Sequence, residues 1–149
     1  MLLQRPVLTS GDGEFVHLLE FETLHNYGRE KDRIEVPVTL RSGEESVSFP
    51  AQLDTGATYC VFERTYAEIL GLSVESGTPL RFTTAMGSFD AYGHTLSLET
   101  LGYSFDSTVY FATHEGFRRN VLGRRGWIDH LRLGLIEYES KLYLNRSDE

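Results

Sequence analysis

A chain of 149 residues, 40% hydrophobic and 24% charged, suits one packed domain and excludes low-complexity and fibrous classes. Its net charge of −8, with no basic stripe, argues against nucleic acid as a partner, and no run reaches the ~20 apolar residues of a membrane span. The single cysteine, Cys60, rules out an intrachain disulfide framework and fits a reducing compartment. Met1–Pro6 lacks the apolar stretch of a signal peptide, so a soluble, cytoplasmic protein is expected.

In chain order, residues 1 to 14 read as a polar arm with a turn at Ser10-Gly11-Asp12-Gly13. Phe15 to Leu24 reads as a strand, although Leu18, Leu19 and Phe21 also fit a helix face, and Asn26 to Asp32 is a polar connector. Ile34, Val36, Val38 and Leu40 alternate with polar residues, which predicts a half-buried strand. Pro37 assigns it to an edge or a bulge. After a turn at Arg41–Glu45, Val47, Phe49, Ala51 and Leu53 share one face of a second strand that runs directly into Asp54. Glu63 to Leu70 reads as a short helix with Tyr66, Ile69 and Leu70 inward and Gly71 as its C-terminal cap.

Two strands, Pro79 to Thr84 and Phe89 to Leu98, flank Ala85-Met86-Gly87-Ser88. Another follows over Tyr103 to Phe111, with Tyr103, Phe105, Val109 and Phe111 on a common face. His114 to Asn120 is a polar loop, Val121-Leu122-Gly123 a short buried strand, and Arg125 to Arg132 a second short helix. Leu133 to Tyr138 and Lys141 to Leu144 form a closing hairpin. Many short strands, two short helices and no internal repeat predict an all-β fold, closed or barrel-like.

The chemistry concentrates at Leu53-Asp54-Thr55-Gly56-Ala57. An acid at the end of an apolar strand, followed by glycine, sits on a tight loop that another chain can approach closely. Alone, Asp-Thr-Gly also makes an ordinary surface turn. It is joined about 65 residues on by Val121-Leu122-Gly123-Arg124, an apolar pair followed by Gly-Arg. Together the two segments resemble the retropepsin-like aspartic protease family over roughly residues 33 to 145. The chain then divides into an N-terminal extension, residues 1 to 32, and a protease domain, residues 33 to 149.

The resemblance implies a retropepsin-like β-barrel that hydrolyses peptide bonds with two carboxylates sharing one proton across a water. Only one Asp-Thr-Gly is present, so the dyad requires an Asp54 from each subunit of a homodimer. By the same resemblance Thr55 bonds across the dimer axis, Gly56 leaves room for the opposing loop and offers a carbonyl to substrate, and Ala57 lines the cleft. Met86, Gly87 and Ser88 resemble the tip of a flap, equally expected of any β-hairpin. Leu122 and Gly123 would pack under the catalytic loop, Leu122 also as a subsite wall. The substrate implied is an extended peptide, apolar around the scissile bond, and no metal or organic cofactor is implied.

The chain departs from the retroviral pattern. Thr58 and Tyr59 stand where a second Asp usually pairs with the Arg of Gly-Arg, leaving Arg124 without that partner. With the long extension, this points to a cellular or bacterial relative. Leu142, Tyr143 and Leu144 are expected to supply a strand to the dimer interface, with closure of the monomer's own barrel as the alternative. Lys141 and Arg146 would guard an exposed edge there. Cys60 reads as a buried, inert thiol between apolar neighbours. The five histidines show no metal-ligand spacing. Phe117-Arg118-Arg119 and Arg124-Arg125 form a small basic cluster, either a solvated loop or an anchor for acidic residues. The competing reading of the whole chain is a non-catalytic binding or dimerisation module that kept the fold.

Overall fold

The computed structural model describes residues 16–30 and 32–148. The polar arm expected over residues 1 to 14 lies outside the described residues. Among those described, the strands are β1 (Thr23–Asn26), β2 (Glu35–Ser42), β3 (Glu45–Leu53), β4 (Val61–Phe62), β5 (Thr78–Thr84), β6 (Gly87–Thr100), β7 (Tyr103–Ala112), β8 (Val121–Leu122), β9 (Leu131–Ile136) and β10 (Lys141–Arg146). One α-helix, α1 (Arg64–Ile69), and three single-turn 3-10 helices complete the set.

Seven strands form a mixed sheet in the order β2-β3-β8-β4-β7-β6-β5, and β6 pairs again with β2 through Thr39–Arg41. The period-2 pattern of β2 and β3 accounts for their pairing: Val36 faces Ala51, Val38 faces Phe49 and Leu40 faces Val47, stacking apolar side chains across the ladder. Pro37 precedes the stretch of β2 that pairs with β6, where its missing N–H leaves no gap in that ladder. One buried cluster draws on both sheets, with Val38, Phe62, Phe111, Leu122, Trp127, Leu142 and Leu144 among its members. Burying each of the larger of these side chains contributes on the order of 2–3 kcal/mol.

The α1 helix forms where expected, and Gly71 ends it at φ +76°, its N–H bonded to the Glu68 carbonyl at 3.0 Å. Its inward face differs from the expected one: Ala67 and Leu70 are buried and Tyr66 stacks on Phe49 at 3.9 Å, whereas Ile69 is 52% exposed. The expected second helix over Arg125 to Arg132 is only a 3-10 turn at Ile128–His130. Gly126, at φ +107° with its N–H bonded to Asp129 Oδ1, turns the chain before it, and Leu131 already belongs to β9.

A second, three-stranded sheet runs β1-β10-β9. The N-terminal strand lies later than Phe15 to Leu24, at Thr23–Asn26, with Thr23 opposite Leu144 and Asn26 opposite Lys141. Just before it, Phe21 is fully buried against Tyr143. Part of the segment read as an extension is therefore built into the sheet. This arrangement corrects the expected role of the closing hairpin. β10 is the middle strand and both of its edges are occupied, so Leu142, Tyr143 and Leu144 lie inside the monomer instead of supplying an open interface strand. Lys141 pairs with Glu139 at 2.8 Å and Arg146 with Asp148 at 3.3 Å, and neither guards an edge of β10.

Candidate active site

Strand β3 delivers Asp54 to the surface, because its apolar face stays in the core until Leu53 and the chain then turns. The turn is tied at every step. Asp54 N–H donates to the Leu122 carbonyl at 3.0 Å, Ala57 N–H returns to the Asp54 carbonyl at 3.1 Å, and Gly56 N–H donates to Asp54 Oδ1 at 2.9 Å. One carboxylate oxygen is thereby oriented, while Oδ2 has no bond among the described residues. Asp54 is half-buried, and Thr55 and Gly56 are exposed beside it.

The loop rests on the segment after β8. Arg124 N–H donates to the Ala57 carbonyl at 2.8 Å and Arg125 N–H to the Thr58 carbonyl at 2.7 Å, extending the parallel pairing of β3 with β8. Gly123 lies where the two backbones touch: a Cβ there would sit 2.3 Å from the Tyr59 carbonyl oxygen and 2.9 Å from that of Ala57. Only glycine permits so close an approach. The Arg124 side chain is exposed.

Opposite Asp54, β5 and β6 form a projecting hairpin. Thr84 pairs with Gly87, so Ala85-Met86 alone is the loop and Ser88 is already in the ladder opposite Thr83. Thr84 Oγ1 fixes the tip by accepting from Met86 N–H at 3.2 Å and donating to the Gly87 carbonyl at 3.1 Å. Met86 is 96% exposed. The hairpin and the Asp54 loop border a cleft of about 940 Å³ to which Asp54, Gly56, Ala57, Met86, Gly87 and Ser88 all contribute. Its size and mixed lining suit a bound chain segment.

Thr55, Leu122 and Gly123 do not line this cleft. Leu122, expected as a subsite wall, is fully buried beneath the loop, and it is its neighbour Val121 that lines the cleft. Adjacent strand residues point to opposite faces, and in a two-residue strand nothing in the sequence sets which one points out. The sequence reading also missed an aromatic wall. Phe82 and Phe89, paired across the hairpin, stack at 5.1 Å; Phe82 meets Tyr59 at 6.0 Å and Tyr110 at 5.7 Å, and Phe89 meets Phe117 at 4.8 Å. Phe82 and Phe89 on either side of the turn were the available signal, but the convergence of the wall depends on four separate segments. Arg81 and Arg119 also reach the cleft, Arg81 paired with Asp90 at 3.0 Å.

Cys60 lies under the loop, fully buried, receiving Gly123 N–H at its Sγ. Burial pushes its thiol up to about 12, so it stays protonated and unreactive at physiological pH. We expect native protein to react with a thiol reagent at least about a thousandfold more slowly than denatured protein, a ratio set by opening of the core. Comparable rates in a labelling time course would show the thiol to be accessible. Among the described residues no group of three or more His, Cys, Asp or Glu side chains is placed to hold a metal ion, and no helix is long and apolar enough to cross a membrane.

Comparison with known proteins bears on the whole arrangement. A family model described as aspartyl protease matches residues 36–125, from β2 through the Asp54 loop and the hairpin to the Gly-Arg segment. Among solved structures, a retropepsin-like aspartic protease from Rickettsia conorii superposes with a TM-score of 0.63 at 17% identity, over 83% of this chain and 97% of that one. No curated protein matches the chain in sequence. With more than half its length matched and a retropepsin-like fold around the Asp-Thr-Gly loop, the chain belongs to the aspartyl protease family.

Proposed function

We propose that the protein is an aspartic endopeptidase acting as a homodimer, with one Asp54 from each subunit forming the catalytic dyad. The observation that carries this reading is the placement of Asp54: an oriented carboxylate, with one free oxygen, at the floor of a cleft roofed by a hairpin. Asp54 is the only acid lining that cleft among the described residues, so a second carboxylate must come from another copy. The exposure of Thr55 and Gly56 leaves the loop open to one, and with β10 enclosed, contacts at this loop and at the outer edges of β1 and β9 would hold the dimer. The return pairing of β6 with β2 supports reading the large sheet as the barrel of such enzymes. The protease domain is taken as residues 33–149; the family match over residues 36–125 supports its central part, and Thr23–Asn26 of the preceding segment add β1 to its sheet.

In this mechanism an extended peptide lies between the hairpin and the floor, bonded through its backbone. The ionised carboxylate takes a proton from water as the water oxygen attacks the scissile carbonyl carbon. The protonated carboxyl gives its proton to the carbonyl oxygen, producing a gem-diol. Collapse of the diol breaks the C–N bond as a proton passes to the departing amine. A buried lone thiol is compatible with work in a reducing, cytoplasmic compartment.

The test is cleavage of a peptide library at mildly acidic and neutral pH over a range of protein concentrations. Initial rate should rise with the square of protein concentration where monomer dominates and become linear once dimer saturates, in step with the mass seen by sedimentation. Linear rates from a monomer would rule out the shared dyad. A folded dimer that cuts nothing would favour the binding-module reading.

A further inference from the structure

We infer that Arg119 is a specificity determinant that selects substrates carrying a glutamate two to four residues from the scissile bond. This inference rests on the peptidase reading above and adds to it a preferred chemistry at one subsite. Three charged residues line the cleft: Asp54, Arg81 and Arg119. Asp54 is assigned to the reaction, and the charge of Arg81 is matched across the hairpin by Asp90 at 3.0 Å. Arg119 is exposed and makes no ion pair among the described residues. The next hollow, which Arg119 also borders, contains Glu35 and Glu63; neither is paired with Arg119, and Glu63 accepts from Asn120 Nδ2 at 2.7 Å. The cleft thus offers one unmatched cation on a chain whose net charge is −8.

The position of Arg119 sets the subsite. Leu122 supplies the carbonyl that receives Asp54 N–H, and Asn120 supplies the one that receives Gln52 N–H. Arg119 therefore stands three residues before the residue that bonds Asp54, at most about 10 Å away at ~3.3 Å per residue of extended chain. A substrate strand has the same rise, so the side chain reaching Arg119 is about three residues from the bond being cut. Phe117 and Val121, on either side of Arg119, make the wall there apolar. An apolar approach ending in a guanidinium fits a side chain with a methylene stem and a carboxylate head, which is glutamate.

The experiment uses decapeptides with an apolar centre, acetylated and amidated at their ends, in which one Glu, Gln or Lys is walked along the sequence. Wild-type protein should cleave the Glu peptide about three- to tenfold faster in kcat/KM than its Gln counterpart, only at positions two to four from the scissile bond, and added salt should shrink the gain. In Arg119→Gln the Glu/Gln ratio should fall to about one, and in Arg119→Glu the Lys peptide should take the lead. A Glu/Gln ratio near one in wild type, or one unchanged in Arg119→Gln, overturns the inference. So does a gain seen only in peptides with a free C-terminal carboxylate, which would assign Arg119 to the chain end. If folded protein cuts none of the peptides, it is the peptidase reading that fails. Binding of the same labelled peptides by fluorescence anisotropy then still decides Arg119, since tighter Glu binding must be lost in Arg119→Gln.

Discussion

Asp54→Asn removes peptide hydrolysis by a factor of about 10³ or more while leaving the fold and its stability close to wild type. The change is nearly isosteric. The asparagine Oδ1 retains the bond from Gly56 N–H that shapes the loop, so the backbone bonds of Asp54 and Ala57 stay in place. What disappears is the group that takes the proton from water, a contribution worth about 10²–10⁴ in rate. In a shared dyad each variant dimer loses both carboxylates together. Mixing variant with wild type should therefore poison activity beyond simple dilution, because mixed dimers hold one carboxylate instead of two. The measurement is kcat/KM for the best library peptide, alongside the denaturation midpoint of each protein. Retained cleavage by folded Asp54→Asn would remove Asp54 from the mechanism, and a strict dilution response in the mixture would remove the second subunit.

The parts of this site that were legible in the sequence share one property, a pattern repeated often enough to set its own phase. Val47, Phe49, Ala51 and Leu53 alternate through four periods, so the strand, its buried face and the exit at Asp54 all follow from it. Short elements carry no such redundancy. In α1 six residues cannot distinguish Ile69 from Ala67 as the inward position, and contact with β3 and β7 decides it. In β8 two residues cannot say whether Val121 or Leu122 faces the cleft. Strand β1 lies later than the sequence suggests because its hydrogen-bonding partner, β10, is more than 100 residues away, and Phe21, which fits a helix face as well as a strand, is buried by tertiary contact just before it. The aromatic wall was illegible for the same reason, since Tyr59, Phe82, Phe89 and Phe117 meet only once the hairpin folds over the loop.

Gly123→Ala should cost about 3 kcal/mol of stability and reduce kcat/KM by about 100-fold even where the protein stays folded. Two backbones meet at this residue. The added Cβ would fall 2.3 Å from the Tyr59 carbonyl oxygen and 2.6 Å from its carbon, and neither is the movable end of a flexible side chain. The chain must separate there, and overpacking of this kind typically costs 1–3 kcal/mol, with rigid backbone neighbours at the upper end. Separation loosens the bonds from Arg124 N–H to the Ala57 carbonyl and from Arg125 N–H to the Thr58 carbonyl, which hold the floor of the cleft in line with Asp54. A shift of about 1 Å in a reacting group is enough for a 100-fold loss. The only tryptophan, Trp127, is fully buried four residues on, so its fluorescence reports the unfolding transition directly. Gly43→Ala supplies the control. That glycine, at φ +61° in the turn between β2 and β3, has open space around its would-be Cβ, and alanine there should cost only the ~1 kcal/mol of a left-handed backbone while leaving kcat/KM alone. If Gly123→Ala proves no more costly than Gly43→Ala, the close approach beneath the catalytic loop does not hold the site together.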